Sequence, residues 1–272
     1  MSPPRPNYGV DAPLVLRRLI VLGIASVGLA RVASLLGRDE AIVPKLVAVS
    51  LNWAGAGLLG CAGGMLWGSQ FGKFRMRDRL IDSIPWRGDE RVLDVGCGHG
   101  LLLIAAAKRL RTGQAVGVDI WSQIDQARNR PEAAVKNARL EGVAEWVEVL
   151  SADARELPVH GMTFDVVLSS LTLHNISQRQ GRENAIREMV RILKPGGWVG
   201  LFDIRGVREY ARVLRTCGME SVRISAPNVH LMVPVLMLTA RKPPVERPPR
   251  EVSYSRRRGS SRRASLGDGV AG

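Results

Sequence analysis

The stretch that most constrains the fold of this 272-residue chain is residues 92–100, which read VLDVGCGHG. An apolar run typical of a β-strand ends at Asp94 and Val95, and glycines follow at positions 96, 98 and 100. A helical pattern over residues 101–111 comes directly after them. A strand, a glycine-rich turn and a helix N-terminus form a concave site where a ligand can approach the main chain closely. The sequence therefore predicts an α/β fold with a ligand bound at this turn.

The glycine spacing indicates which ligand to expect. A dinucleotide fingerprint needs G-x-G-x-x-G, and the third glycine of that pattern would fall at Leu101. An acidic residue, Asp119, follows the next strand-like run, about 20 residues past the turn, where nucleotide-binding α/β folds bind ribose hydroxyls. The spacing thus favours a nucleoside-type ligand and argues against a nicotinamide dinucleotide.

Strand-like and helix-like runs alternate after residue 72, which predicts a parallel sheet with crossover helices. The predicted strands are residues 91–95, 115–120, 146–150, 164–170, 199–203, 221–224 and 231–240. The predicted helices between them are residues 101–111, 131–141, 182–193 and 207–217, and residues 72–84 form a basic amphipathic helix before the first strand.

Five segments in this order resemble motifs of class I S-adenosylmethionine (SAM) dependent methyltransferases, and most closely the ubiquinone/menaquinone-biosynthesis-like, small-molecule group. They are the glycine turn, the acid Asp119, the segment LSADA at 150–154, the fourth strand with the residues after it at 164–175, and the segment LKPGGW at 193–198, which matches the loop before the fifth strand. The resemblance covers residues 72–242. It implies a doubly wound, seven-stranded Rossmann-like sheet and SAM as the cofactor.

The resemblance also implies roles for residues at the glycine turn and beyond the second strand. Asp94 would engage the amino-acid end of SAM, and Gly96 and Gly98 would let the main chain approach it, with Cys97 as a small residue between them. Asp119 would accept hydrogen bonds from the two ribose hydroxyls. The hydrophobic pair that follows, Ile120 and Trp121, would pack on the adenine, although surface packing of Trp121 is an equal alternative.

Two further segments complete the cofactor site implied by the resemblance. Asp153 would accept a hydrogen bond from the adenine amino group, with Ala152 and Ala154 as wall residues, and an Asp that caps a turn is the alternative. Ser169 is the next-to-last residue of the predicted fourth strand and is included among the cofactor-binding residues. The segment that follows lacks the (N/D)PP(Y/F) signature of base-modifying amino-methyltransferases.

The chemistry expected of such a site requires little from the protein beyond positioning. A sulfonium methyl group is already activated, so in-line displacement needs alignment and exclusion of water. His174, beyond the fourth strand, is the candidate base for an acceptor that must lose a proton. A loop histidine that only satisfies its own hydrogen bonds is the alternative. Nothing in the sequence indicates a metal site.

The first 71 residues predict a membrane segment with helices at about residues 19–36 and 46–67. The second run has no charged residue, is long enough to cross a bilayer, and carries small residues at four-residue spacing from Ala56 to Gly68. The first run contains Arg31, which is close enough to its end to snorkel. A signal peptide, a single span and a re-entrant hairpin are the alternatives to two spanning helices.

Charge predicts the orientation of this hairpin. Basic residues flank both of its outer ends, while the connection between the helices has no positive excess. The positive-inside rule then places both ends, and the catalytic domain, on the cytoplasmic side. A membrane anchor beside the site favours a small or lipid-like, amphiphilic acceptor.

The last segment, residues 243–272, predicts a disordered basic tail, and it contributes to the net charge of +14. Its arginine clusters keep two other functions open. One is an RNA or protein methyltransferase that holds an anionic partner with the tail. The other is a membrane scaffold that binds SAM without catalysis.

Overall fold

The computed structural model describes residues 4–36, 42–231 and 233–245. Most of the predicted tail, residues 246–272, lies outside the described residues, as does the connection at 37–41 that contributes to the predicted hairpin orientation.

Two long helices, α1 (Pro13–Leu36) and α2 (Ile42–Trp67), pack against each other as a hairpin. Large apolar side chains remain exposed along both, for example Ile24 at 61% and Leu46 at 61%. In the described part of the chain, two helical stretches are long and apolar enough to cross a membrane. A signal sequence or the core helix of a soluble protein can have the same length and composition.

The packing face of α2 differs from the small-residue row predicted from the sequence. Ala48, Gly55 and Ala62, spaced by seven residues, are the buried positions of this helix. A Cβ on Gly55 would lie 2.6 Å from Val27 Cγ2, so the backbones approach too closely for a side chain there. A Cβ on Gly60, a member of the predicted row, would meet no atom within 4 Å. This side of α2 therefore does not pack against α1.

A five-residue π-helical turn, Gly68–Gly72, connects α2 to α3 (Lys73–Asp82). Gly72 is required here, because a Cβ at this position would lie 2.0 Å from the carbonyl oxygen of His230. The hairpin therefore passes into the α/β domain through a turn that touches that domain.

Seven strands in the described residues form one sheet in the order β3-β2-β1-β4-β5-β7-β6. The first five strands are parallel, and β7 runs antiparallel to both of its neighbours. The strands are β1 (Arg91–Val95), β2 (Gln114–Asp119), β3 (Val147–Ser151), β4 (Phe164–Ser170), β5 (Leu193–Asp203), β6 (Glu220–Ile224) and β7 (Leu236–Arg241). This is the predicted seven-stranded Rossmann-like methyltransferase sheet.

Helices cover both faces of the sheet and enclose two hydrophobic cores. The helices α4 (Leu101–Ala107) and α5 (Pro131–Leu140) lie with α3 on one face, and α6 (Arg179–Ile192) and α7 (Val207–Thr216) lie on the other. The strand order reverses between β1 and β4, and ligands of open α/β sheets bind outside the carboxyl ends of the strands at such a point.

Several predicted boundaries differ from the structure. The strand predicted at 231–240 begins only at Leu236. Two other differences have local reasons. The segment LKPGG was predicted as a loop before the fifth strand, but Leu193 already pairs with Phe164 and opens β5. The helix predicted at 101–111 ends at Ala107, because the main chain of Arg111 turns away to donate a hydrogen bond to Gly88.

The N-terminal segment contacts the α/β domain before its first helix begins. Residues 7–12, which we call the N-terminal strap, lie against the α/β domain. Ala12 donates to the carbonyl oxygen of Asp125 at 3.0 Å, and Asp11 forms a β-bridge with Gln126. The strap passes directly into α1 at Pro13.

Candidate active site

The glycine turn closes tightly behind β1. The main-chain nitrogens of Gly96 and Cys97 both donate to the carbonyl oxygen of Val118 on β2, at 2.8 and 3.1 Å. Gly96, Gly98 and Gly100 all have positive φ (73°, 50° and 86°), a conformation that other residues adopt at a cost. The sequence-predicted turn is thus a tightly held concave backbone surface.

Asp94 lies behind this turn rather than on the cavity surface. Its carboxylate is 1% exposed and accepts a hydrogen bond from the main chain of Leu103 at 2.9 Å. The other oxygen, Oδ1, has no partner in the described part of the chain. Burial raises the pKa of Asp94, the Leu103 hydrogen bond lowers it and the charge of Asp119 raises it, and together they bring the pKa to about 7.

Asp119, at the end of β2, is held by three donors and lines the cavity. Its Oδ2 accepts from the main chain of Gly98 at 2.9 Å, and its Oδ1 accepts from Trp121 N at 2.6 Å and from Asn129 Nδ2 at 3.1 Å. A carboxylate has about four acceptor positions, so these bonds fix its orientation and leave capacity for a ligand hydroxyl.

The two residues after Asp119 point in different directions. Ile120 lines the cavity and is 66% exposed. Trp121 has φ of 60°, donates from Nε1 to Ser151 Oγ at 2.8 Å, and is not among the cavity-lining residues. Of these two residues, Ile120 and not Trp121 lines the cavity beside Asp119.

Asp153 lies on the cavity wall beside Ala152 and Ala154, where the sequence placed it. Both of its oxygens are engaged by Arg155, whose Nε lies 3.0 Å from each of them. Hydrogen bonds from Arg155 lower the pKa of Asp153. An adenine amino group would have to share this carboxylate with the guanidinium group.

Ser169 supports the site from behind. Its side chain is 1% exposed, donates to the carbonyl oxygen of Val95 at 2.8 Å, and is not among the cavity-lining residues. The cavity is lined instead by the residues that follow, including Thr172. A Cβ on Gly96 would lie 2.1 Å from Thr172 Cγ2, so this threonine, which sequence reasoning missed, covers the glycine turn.

His174 lies in a short 3₁₀ turn, Leu173–Asn175, and lines the same cavity. Its Nδ1 is 2.5 Å from Oδ1 of Asp203, the last residue of β5. Its main-chain nitrogen also donates to Asp203 Oδ2 at 3.1 Å. Sequence reasoning missed Asp203; its position at the carboxyl end of a predicted central strand was the available signal.

The N-terminal strap forms a roof beside the glycine turn, which the sequence did not indicate. His99 Nδ1 lies 3.0 Å from the carbonyl oxygen of Asn7, and Gln126 Nε2 donates to that of Tyr8 at 3.0 Å. The buried ammonium group of Lys73 donates to the carbonyl oxygens of Tyr8 and Gly9. The strap is thereby fixed to both the cofactor side and α3.

These elements enclose a cavity of about 900 Å³. One part is bounded by the glycine turn, Asp119 and Asp153, and another continues to the base of the hairpin. The lining residues of that second part include Leu14, Val15, Arg18, Met65, Leu231 and Val233. In the described residues, no group of three or more metal-ligating side chains converges.

The residues present fit SAM. The positive-φ glycines provide a main-chain surface that a ligand can approach, and the unpartnered Oδ1 of Asp94 lies behind it. Asp119 offers an acceptor where a ribose would lie, and Ile120 offers an apolar surface beside it. These are the features that a nucleoside with a charged amino-acid end requires.

Comparisons with known proteins agree with this assignment. Residues 92–197 match the family model of a methyltransferase domain. Over 133 residues the chain is 36% identical to 27-O-demethylrifamycin SV methyltransferase of Amycolatopsis mediterranei, an alignment that covers 47% of this chain and 44% of that protein. Over 122 residues it is 32% identical to ubiquinone/menaquinone biosynthesis C-methyltransferase UbiE of Ruegeria sp., covering 44% and 45%.

The chain thus spans less than half the length of these curated relatives. Among solved structures, the [4+2]-cyclase SpnF matches with a TM-score of 0.52 at 22% identity, over 63% of this chain and 82% of that one. At this identity the match supports the fold alone.

The sheet, the glycine turn and the family match agree: residues 92–197 match a methyltransferase domain, and the sheet around them has the fold of class I SAM-dependent methyltransferases. These findings support SAM as the cofactor of this domain.

Proposed function

We propose that this protein is a membrane-anchored methyltransferase that transfers a methyl group from SAM to a small, amphiphilic acceptor by in-line displacement. The observation that carries the proposal is that one cavity extends from the glycine turn to the base of the apolar hairpin, where Leu14 and Met65 line it. An acceptor with an apolar part and a reactive polar end matches a cavity of this kind.

The hairpin supports a membrane setting. Ile24, Leu46 and Trp53 are each more than 60% exposed, so α1 and α2 present apolar surface rather than burying it. Contiguous exposed apolar surface of this extent is rare in soluble monomers and common where a protein meets lipid. Both hairpin ends adjoin the α/β domain, which supports a domain on the side where basic residues flank the helices, the cytoplasmic side.

Within the cofactor part of the cavity, the proposal assigns each residue a task. Gly96, Cys97 and Gly98 provide the main-chain surface for the amino-acid end, with Asp94 behind them. Asp119 accepts hydrogen bonds from the ribose, and Ile120 packs on the adenine. The adenine edge meets Ala152, Asp153 and Ala154. Trp121 and Ser169 act indirectly, by holding Ser151 and Val95.

The relatives support a small-molecule acceptor, since the two named above are called methyltransferases of a rifamycin and of ubiquinone/menaquinone biosynthesis. SAM supplies an activated methyl group when bound. The protein's contribution is to hold the acceptor in line and to exclude water with the strap and Thr172.

Turnover tests the proposal. Full-length protein in lipid nanodiscs is incubated with methyl-labelled SAM and a total lipid extract of native membranes. Label in the organic phase is the expected result. Parallel reactions contain RNA or protein in place of the lipid extract, and label found only there supports the alternative acceptors. SAM binding without any labelled product supports a non-catalytic scaffold.

Membrane anchoring has its own test. Ile24→Asp places a charge on the exposed apolar surface of α1 and is expected to shift the protein from the membrane to the soluble or aggregated fraction on flotation. Met162→Asp is the matched control, because Met162 is equally exposed, at 62%, on a loop of the α/β domain. Equal flotation of both variants contradicts the membrane setting.

A further inference from the structure

The carboxylate of Asp203 is buried and aimed at His174. Its side chain is 2% exposed, and it accepts hydrogen bonds from Ile204 N at 2.7 Å and Tyr210 Oη at 3.4 Å in addition to the two from His174. A carboxylate held by several donors keeps a fixed orientation. Asp203 therefore fixes both the main chain and the imidazole of His174.

The contact with Asp203 leaves one ring nitrogen of His174 available. Nδ1 is engaged, while Nε2 has no hydrogen-bond partner in the part of the chain that the structure describes. The side chain is 13% exposed and lines the cavity. A neutral imidazole that donates from Nδ1 to a carboxylate has a free lone pair on Nε2, which is the state of a general base.

The pair formed by His174 and Asp203, which we call the dyad, lies beyond a strand that neighbours the one before the glycine turn. His174 follows β4 and Gly96 follows β1, and these two strands are neighbours at the switch point of the sheet. Thr172, two residues before His174, reaches Gly96 with its Oγ1 at 3.2 Å from the glycine carbonyl oxygen. His174 and Gly96 line the same cavity.

We propose that His174 is the general base and Asp203 its positioning residue, and that the acceptor is an amphiphilic alcohol or phenol methylated on oxygen. This inference rests on the proposed function. An amine attacks through a lone pair that it already has, whereas a hydroxyl is a poor nucleophile until its proton leaves. In a hydroxyl acceptor, the same oxygen atom gives its proton to the base and receives the methyl group.

The step balances without a further reactant. The hydroxyl proton moves to His174 Nε2, and an oxygen lone pair forms the new bond to the methyl carbon. The bond between that carbon and the sulfonium breaks, and its electron pair stays on sulfur. The products are a methyl ether, a neutral thioether and an imidazolium, which returns its proton to solvent.

The charges around the dyad come from several elements. Asp203 and Tyr210 face His174 from β5 and α7, and Arg205 Nη2 donates to the His174 carbonyl oxygen at 3.2 Å. Behind Tyr210, Arg182 and Glu209 form an ion pair at 3.2 Å. Across the cavity lies the Arg155–Asp153 pair.

The first test needs no acceptor. In full-length protein with ¹⁵N-labelled histidine, long-range proton–nitrogen spectra assign the tautomer of His174. The proposal expects the Nδ1–H form at neutral pH, and Asp203→Asn is expected to change that signal while a SAM titration by calorimetry remains within about twofold. An Nε2–H tautomer in the wild type overturns the assignment of the base.

The second test uses the nanodisc assay with methyl-labelled SAM and the native lipid extract. His174→Asn is expected to lower kcat by about 10²–10⁴-fold with little change in KM for SAM, and to remove the acid limb of the pH–rate profile. Asp203→Asn is expected to lower kcat in the same way. His160→Asn, an exposed histidine outside the cavity, is the control.

Product chemistry separates this inference from the proposed function. Hot hydriodic acid releases label from a methyl ether as methyl iodide but not from a carbon-bound methyl group. Release of the label supports oxygen as the acceptor. A labelled product that resists the acid overturns the hydroxyl assignment and leaves the methyltransferase function standing. No labelled product, with SAM bound, overturns the proposed function itself.

Discussion

The ammonium group of Lys73 donates a hydrogen bond to the carbonyl oxygen of Tyr8 at 2.9 Å, inside the protein. Lys73 opens α3 and Tyr8 belongs to the N-terminal strap, so this contact joins two segments separated by the whole hairpin. A second hydrogen bond to Gly9 at 2.8 Å and an ion pair with Asp11 at 3.5 Å complete the surroundings of a lysine that is only 2% exposed.

Lys73→Met is expected to loosen the strap. The substitution keeps much of the side-chain volume but removes the donor to the Gly9 carbonyl oxygen and leaves that of Tyr8 with Gln126 alone. The expected cost is about 2–4 kcal/mol in the free energy of unfolding. Hydrogen exchange at residues 8–12 should accelerate, and denaturant unfolding should report the loss. Lys108→Met removes an exposed ion pair with Glu141 and should cost less than about 1 kcal/mol. Equal effects would contradict the anchoring role.

Asp94→Asn is expected to change how stability depends on pH. Burial raises the pKa of Asp94 from 3.8 to about 7 in the folded protein. Ionisation therefore opposes folding, and this penalty is absent below about pH 4, grows as pH rises to about 7, and stays constant above it, reaching at most about 4 kcal/mol. In the absence of SAM, the variant should be more stable than the wild type at pH 8 and similar at pH 4.

The same Asp94→Asn variant should bind SAM more weakly, since the carboxylate stands behind the proposed position of the cofactor amino group. Calorimetric titration at pH 8 measures the affinity. A gain in stability together with a loss of affinity is the expected pair of results. A pH-independent difference in unfolding free energy would show that the carboxyl does not titrate in this range.

Gly96→Ala is expected to abolish SAM binding. Two effects combine, the positive φ of 73° and a Cβ position 2.1 Å from Thr172 Cγ2. Gly142→Ala isolates the first effect, because Gly142 has φ of 70° and its Cβ would meet no atom within 4 Å. The control should lose about 1–2 kcal/mol of stability and keep its affinity for SAM. Calorimetry and thermal unfolding measure both.

Arg155→Ala is expected to strengthen SAM binding about two- to fivefold. The guanidinium group engages both oxygens of Asp153 and lowers the pKa of that residue. Its removal frees the carboxylate for the adenine amino group, and an exposed ion pair is worth about 1 kcal/mol at most. Arg139→Ala, an exposed arginine on α5 outside the cavity, is the control. Weaker binding would mean that Arg155 itself contacts the cofactor.

The sheet and the glycine turn could be predicted because both follow from local sequence rules. Strand β1 and strand β4 have the bounds that the apolar pattern predicts. The glycines at 96 and 98 adopt the left-handed conformation that only their residue type adopts at low cost. Asp119 and Asp153 lie on the cavity because the carboxyl ends of parallel strands meet at one edge.

What could not be predicted depends on contacts between distant segments. The strap is a short segment of ordinary composition, and only the fold brings Tyr8 to Lys73 and Gln126. Asp203 resembles any acid at a strand end until His174 meets it. Trp121 turns away from the cavity because of its positive φ and its bond to Ser151, and neither can be inferred from residue type.

The strap determines whether the N-terminal segment can be removed or exchanged without changing the cavity. The roof of the cofactor site continues without a linker into α1, which begins at Pro13 directly after Ala12. A version that starts at residue 72 would keep every strand of the sheet and lose the partners of Lys73, Gln126 and His99. The hairpin is therefore not an exchangeable segment, and replacing it would also replace one wall of the cavity.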